Sequence, residues 1–257
     1  MQQNLSNRTE TRAYIMFSFL RTRLANLTAY LYNRSMETAG FLHSFLDKLT
    51  AAFGGRLLFF GLQGSFARGE QTEKSDIDIV TVLDELSFDD VELYRRLTLA
   101  ADFPVQPCGF IAGKAELAAW EKSDLVSLVF DTKPLLGDLF ALVPDFSNDD
   151  IKSNVRVTVC SIYHACLHNY LYDRSGDILR SLFKSARFAI RMKHFLLTGT
   201  FVHSMNELNA LCNGTEKTIM TTAEDYIPSP DNFASYTRSL LDWARSLLCS
   251  PLLRPAG

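Results

Sequence analysis

Glycine and proline are few in this 257-residue chain, 13 and 8 residues, and hydrophobic residues make up 47% and charged residues 21% of it. That balance excludes collagen-like repeats and intrinsic disorder. No apolar run approaches the ~18 residues that a bilayer-spanning helix needs. The stretch Ala13 to Leu20 follows Arg8 and Arg12 in the manner of a signal peptide, but Arg21 and Arg23 end it and no small-residue cleavage site follows, so it is read as a helix face. Cysteine is also sparse: positions 108, 160, 166, 212 and 249 are odd in number and form no CxxC. This argues against a disulfide framework or a zinc site, and for reduced thiols and a cytoplasmic location. No Walker loop, dinucleotide fingerprint, HExxH or internal repeat is present.

What is there is enough chain for one large domain or two of ordinary size. The net charge of −3 conceals an asymmetry. Ser65 to Asp150 carries 18 acidic against 7 basic residues, and Ile151 to Gly257 carries 8 against 12. One half could hold cations while the other neutralises a polyanion.

Apolar residues recur at three- and four-residue spacing from Thr11 to Tyr32 and from Met36 to Phe53, which predicts two helices, the second stopped by Gly54-Gly55. Arg56 to Leu62 and Ile77 to Leu83 have strand length and composition. Ser87 is an N-cap for a helix to about Ala101, and Pro104 to Ile111 is a third strand interrupted by Pro107 and Gly109. Lys114 to Phe130 has helical spacing. After Pro134, Gly137 and Pro144 strand signals cease, and helices are predicted over Ser153–Tyr172, Asp177–Thr198, Met205–Cys212 and Phe233–Leu248. The expected class is α+β: a short mixed sheet flanked by helices, then an all-α bundle. The expected divisions are a helical extension at 1–35, a sheet-bearing domain at 36–148 and a helical domain at 149–257.

The chemistry concentrates in Gly64-Ser65-Phe66-Ala67-Arg68-Gly69 and, five residues later, Ser75-Asp76-Ile77-Asp78-Ile79. Carboxylates at i and i+2 of a strand share a face, so Asp76 and Asp78 converge while Ile77 and Ile79 enter the core. Two such charges repel and need a cation between them. Hard oxygen donors without neighbouring histidine favour Mg²⁺ or Mn²⁺. Gly64-Ser65 allows backbone N–H groups and a hydroxyl to approach an anion, and Arg68 offers a forked donor for phosphate oxygens. Together these read as a metal-bridged triphosphate site.

The same residues resemble the signature of the DNA polymerase β-like nucleotidyltransferase superfamily, in the branch of minimal and aminoglycoside nucleotidyltransferases. The resemblance covers about fifteen residues directly, and through element order roughly residues 36 to 145. It implies a nucleotidyltransferase fold in which Gly64 and Ser65 hold nucleotide phosphates, with Ser75 beside them, and Asp76 and Asp78 hold two Mg²⁺ ions. The helical remainder is similar in pattern to the HEPN-like C-terminal domains of such enzymes. The family carries a third carboxylate on the next strand, where this chain has Gln106 or Cys108 instead. Asp131, Glu116 and Asp102 are the nearby acids that could take that part.

Lys184, Arg187, Arg191 and His194 cover about 80° of one helix face. This basic stripe could neutralise a triphosphate, with Lys184 the contact that the resemblance favours. Arg187 and His194 also match the loose Arg-x(4-6)-His spacing of HEPN ribonucleases. His164 and His168 could ligate a metal or line a surface with Tyr163 and Asn169, and Trp120 and Trp243 read as core. The expected activity is transfer of a nucleoside monophosphate from ATP or another nucleoside triphosphate to a hydroxyl by two-metal in-line displacement. An aminoglycoside-like antibiotic, another small molecule or a protein would accept it. The alternatives are a catalytically weak or inactive nucleotide-binding, antitoxin-like module and a HEPN-type ribonuclease. A pI near 6.0 disfavours nucleic acid as a partner, and the N-terminal helix has apolar surface for a homodimer.

Overall fold

The computed structural model describes residues 38–72, 75–101, 107–225 and 229–254. The expected helix at 11–32, with its dimer surface, lies outside them, as do Asp102 and Gln106. The chain divides into two compact units, one containing residues 38–55 and 87–101, the other residues 56–86 and 107–254.

In the first unit, helix α1 spans 38–53 and buries Phe41, Phe45, Leu49 and Phe53, an unbroken i, i+4 row. Helix α3 (Phe88–Leu99) starts where the Ser87 hydroxyl accepts from the Asp90 backbone N–H while the Asp90 carboxylate accepts from the Ser87 N–H. Phe45 meets Tyr94 of α3 edge to face at 6.0 Å.

The second unit is built on a four-stranded sheet in the order β3-β2-β1-β4. Its strands are β1 (Leu57–Gln63), β2 (Ile77–Leu83), β3 (Pro107–Gly113) and β4 (Lys133–Leu136). β1 runs antiparallel to β2 and β4, and β2 runs parallel to β3. Ile77 and Ile79 are fully buried, as their alternation with the two aspartates requires. One face of the sheet packs on α4 (Lys114–Ala119) and α5 (Lys122–Phe130) through Phe59, Val80, Val82, Leu117, Leu125 and Val129. The single helix expected over Lys114–Phe130 is two. Trp120 takes an extended backbone, and Glu121 caps α5 by accepting from the Ser123 N–H. Trp120 is 40% exposed, stacks edge-on against Phe110 and donates to Asp124, so it is less buried than expected.

The helical remainder comprises α6 (Asn148–His168), α7 (Gly176–Thr198), α8 (Met205–Leu211), α9 (Gly214–Asp225) and α10 (Pro230–Leu248). α6 begins five residues earlier than expected because Ser147 and Asp150 form a reciprocal cap. It ends in a wider turn at Asn169–Asp173. Val155, Val159, Ile162, Leu179, Phe183, Ile190, Leu240 and Trp243 fill its core, and Val126 of α5 joins them. Asn154 of α6 donates to the Ser123 carbonyl at 2.7 Å and to the Ser127 hydroxyl at 3.1 Å on α5. The sheet and the helical bundle are thus one continuous body. No helix among the described residues is long and apolar enough to cross a membrane.

Phe183 is fully buried at the centre of this bundle. Phe183→Ala is expected to lower unfolding free energy by about 3–5 kcal/mol. Urea titration checks this: the midpoint falls while the slope is unchanged.

Candidate functional site

β1 ends at Gln63, and the chain turns at Gly64, φ +71°, into the five-residue helix α2 (Gly64–Arg68). A Cβ at Gly64 would stand 3.1 Å from the Asp78 carboxyl carbon and closer still to one of its oxygens. Glycine is therefore required twice, for the left-handed backbone and for the approach of the turn to Asp78. Asp78 is the second residue of β2, flanked in register by Gln63 of β1 and Cys108 of β3. Asp76 is exposed just before β2, and Asp78 is half-buried. One ligand atom each from Asp76, Asp78 and Cys108 lie within 4.8 Å of one another. Cys108, one of the two residues expected in place of the third acid, stands beside the pair, and the other, Gln106, lies outside the described residues.

Burial pushes the Asp78 carboxyl above the ordinary carboxylate range, with the charges of Asp76 and Asp131 adding to it and Arg68 opposing. Two carboxylates and a thiol converging in this way are a donor set for a divalent cation, which would relieve the repulsion.

Behind the turn, Arg68 is almost wholly enclosed. Its Nε donates to Glu70 at 3.1 Å and its terminal nitrogen donates to Asp131 at 2.8 Å. The other Asp131 oxygen accepts from Arg191 of α7 at 2.7 Å. The Arg191 side chain is 2% exposed and its guanidinium lies over the rings of Phe188 and Phe201. Glu70 accepts in turn from the Ser204 hydroxyl at 3.1 Å and the Met205 N–H at 2.6 Å at the start of α8. The network runs without a break from the Gly-Ser turn into the helical bundle.

The remaining candidates fall as follows. Ser65 is half-buried in α2. The Ser75 hydroxyl accepts from the Thr72 N–H at 2.8 Å and closes the approach to β2. Glu116 is exposed at the start of α4, its carboxylate next to Gly113. Five residues of strand, about 16 Å, separate Gly113 from Cys108. Asp131 is near enough to act on Asp78, but both its oxygens are held by arginines. Lys184 is exposed on α7, and Arg187 pairs with Glu224 at 3.3 Å. The basic stripe is thus divided between interior and surface. His168 pairs with Asp173 at 3.0 Å. Glu70 and Arg191 carry roles that spacing did not reveal, although Arg191 interrupts the apolar run Ala189-Ile190-Met192, where a charge needs a buried partner.

Residues 46–156 match the nucleotidyltransferase domain. That domain spans the Gly-Ser turn, the aspartate pair, Cys108 and Asp131. No curated protein sequence matches the chain. Among solved structures, spectinomycin adenyltransferase AAD(9) from Enterococcus faecialis, determined with ATP and spectinomycin, is similar with a TM-score of 0.52 and 14% identity. The similarity covers 79% of this chain and 98% of that one. The shared fold therefore reaches beyond the nucleotidyltransferase domain itself. A toxin-antitoxin structure with AMP-PNP is matched at 21% identity over 51% of this chain and 95% of that one, at a TM-score of only 0.28. Neither match names a HEPN domain.

Because the raised Asp78 pKa means that the folded state holds its proton more tightly, stability falls as pH rises from the unfolded value of 3.8 through the folded one. Asp78→Asn should accordingly raise the metal-free melting temperature at pH 7 and have no such effect near pH 3. Calorimetry at the two pH values checks it. Asp131→Ala should cost about 3–5 kcal/mol, since it strands the buried Arg191 guanidinium and leaves Arg68 with Glu70 alone. Chemical denaturation of that variant gives the figure.

Proposed function

We propose that this protein transfers a nucleoside monophosphate from a nucleoside triphosphate, with ATP the leading donor, to a hydroxyl of a small molecule or protein. The observation that carries this reading is the Asp76–Asp78 pair converging against a turn whose left-handed Gly64 brings the backbone close to Asp78. The nucleotidyltransferase match over residues 46–156 and the fold shared with an ATP-bound adenyltransferase support it. In this reading Asp76 and Asp78 hold Mg²⁺ or Mn²⁺, Gly64 and Ser65 receive the phosphates, and Lys184 approaches from the helical side. The bound metal would supply positive charge to the attacking and leaving oxygens of an in-line displacement. Arg68 acts from behind by holding α2 in place, since its Nε and one terminal nitrogen are engaged by carboxylates. Residues 36–148 form the catalytic domain and 149–257 its helical partner. The acidic middle segment suits a cationic acceptor such as an aminoglycoside.

A second reading, a nucleotide-binding, antitoxin-like module without turnover, draws on two observations. No carboxylate occupies the place of Cys108, and each Asp131 oxygen already accepts from a buried arginine.

Titration calorimetry with ATP and Mg²⁺, together with a pyrophosphate-release assay over small-molecule and protein acceptors, separates the two. The expected result is metal-dependent binding that Asp76→Asn/Asp78→Asn weakens at least ~10-fold, about 1.4 kcal/mol, and release of pyrophosphate with one acceptor class. Unchanged binding by the double variant sinks both readings. Binding without release across the acceptors selects the second.

A further inference from the structure

Among the described residues, one group of three or more metal-type donors converges: Asp76, Asp78 and Cys108. We infer that the Cys108 thiolate is the third ligand of this site, and that the site takes a thiophilic divalent cation of the Zn²⁺ type ahead of Mg²⁺. The inference rests on the proposed role of the aspartate pair in holding metal.

The register places Cys108 directly beside Asp78 in the parallel β2–β3 ladder. What holds it there is the next residue. Gly109 has φ +140°, and a Cβ on it would stand 2.6 Å from the Ile79 nitrogen and 2.7 Å from its carbonyl carbon. Any other residue would push β3 away from β2. Glycine lets the backbones close and keeps the thiol at the aspartate rather than at the loose end of a strand. Cys108 is exposed, so an arriving ion meets it from solvent. The other cysteines differ: Cys166 and Cys212 are buried, with burial pushing the Cys166 thiol up to about 11, and Cys160 and Cys249 are exposed outside this group.

Donor chemistry decides the ion. A hard ion such as Mg²⁺ binds oxygen and holds its waters, gaining little from sulfur, whereas Zn²⁺ and Cd²⁺ bind thiolate strongly. As the metal–sulfur bond forms, the thiol proton is released to solvent and no electrons are exchanged. Two carboxylates and a thiolate carry three negative charges, so the bound ion leaves the site with one.

The test uses the reduced, metal-free, full-length protein and follows the ultraviolet sulfur-to-cadmium charge-transfer absorption during Cd²⁺ titration. One equivalent should saturate a band in the parent. Cys108→Ser should abolish it, Asp76→Asn/Asp78→Asn should weaken the apparent affinity about tenfold or more, and Cys160→Ser/Cys249→Ser should leave it intact. Zn²⁺ should displace the band, and a hundredfold excess of Mg²⁺ should not. Circular dichroism of each variant establishes that it is folded. A band that survives Cys108→Ser, ignores the aspartates or yields to Mg²⁺ overturns the inference. ATP binding with Mg²⁺ is measured on the same parent. If nucleotide binds and no Cys108-dependent band forms, the inference alone falls. If the band forms and no nucleotide binds, the inference stands and the transferase reading falls.

Discussion

Asp131 lies between two guanidiniums that reach it from opposite directions, Arg68 from the turn after β1 and Arg191 from the middle of α7. All three side chains are 8% exposed or less, so each charge has given up its water and depends on the others. Such a cluster adds little net stability over an apolar core, but it tolerates no missing member. Its value is geometric: it fixes the short helix α2, and with it the Gly64 turn, against a helical bundle far along the chain. Glu70 extends the clamp by taking one Arg68 nitrogen and the first amides of α8. Arg187 feels the consequence. Burial loosens its hold on a proton, Arg68 and Arg191 add to that, and Glu224 and Glu70 oppose it.

In front of the clamp the balance reverses. At the front of the central strands Asp76 and the half-buried Asp78 make no salt bridge among the described residues, and Asp131 adds to the burial and the Asp76 charge that raise Asp78, with Arg68 opposing. The clamp thus pairs its own charges and leaves the front of the sheet acidic. An ion entering there would offset the repulsion between Asp78 and the neighbouring carboxylates. Cys108 tempers this, because it adds a donor without adding a charge until it is deprotonated.

Much of this was legible in the chain. The i, i+2 aspartates flanking a buried isoleucine, the glycine-serine turn and the strands on either side follow from local alternation, which is why the site and the α+β class could be read. The apolar faces of α6, α7 and α10 are long enough for their period to show. Other features lacked a local signal. β4 is exposed along its length and contains Pro134, so nothing in Lys133–Leu136 alternates. α9 is threonine-rich, and its helical state follows from burying Ile219, Met220 and Ala223 rather than from propensity. The break between α4 and α5 depends on Glu121 as a cap in a segment whose spacing looks continuous. The partnerships of Asp131 with Arg191 and of Glu70 with α8 join residues 60 or more positions apart, beyond what spacing can show.

The clamp also bears on how such a chain can change over evolutionary time. Arg68, Glu70 and Asp131 precede α6 in the sequence, and Arg191 and the Ser204 cap follow it. A recombination event that imported a foreign helical part would leave Asp131 with one arginine instead of two and Glu70 without the α8 amides. The two segments therefore have to match for the clamp to close. Exposed positions such as Lys184 lie outside this constraint.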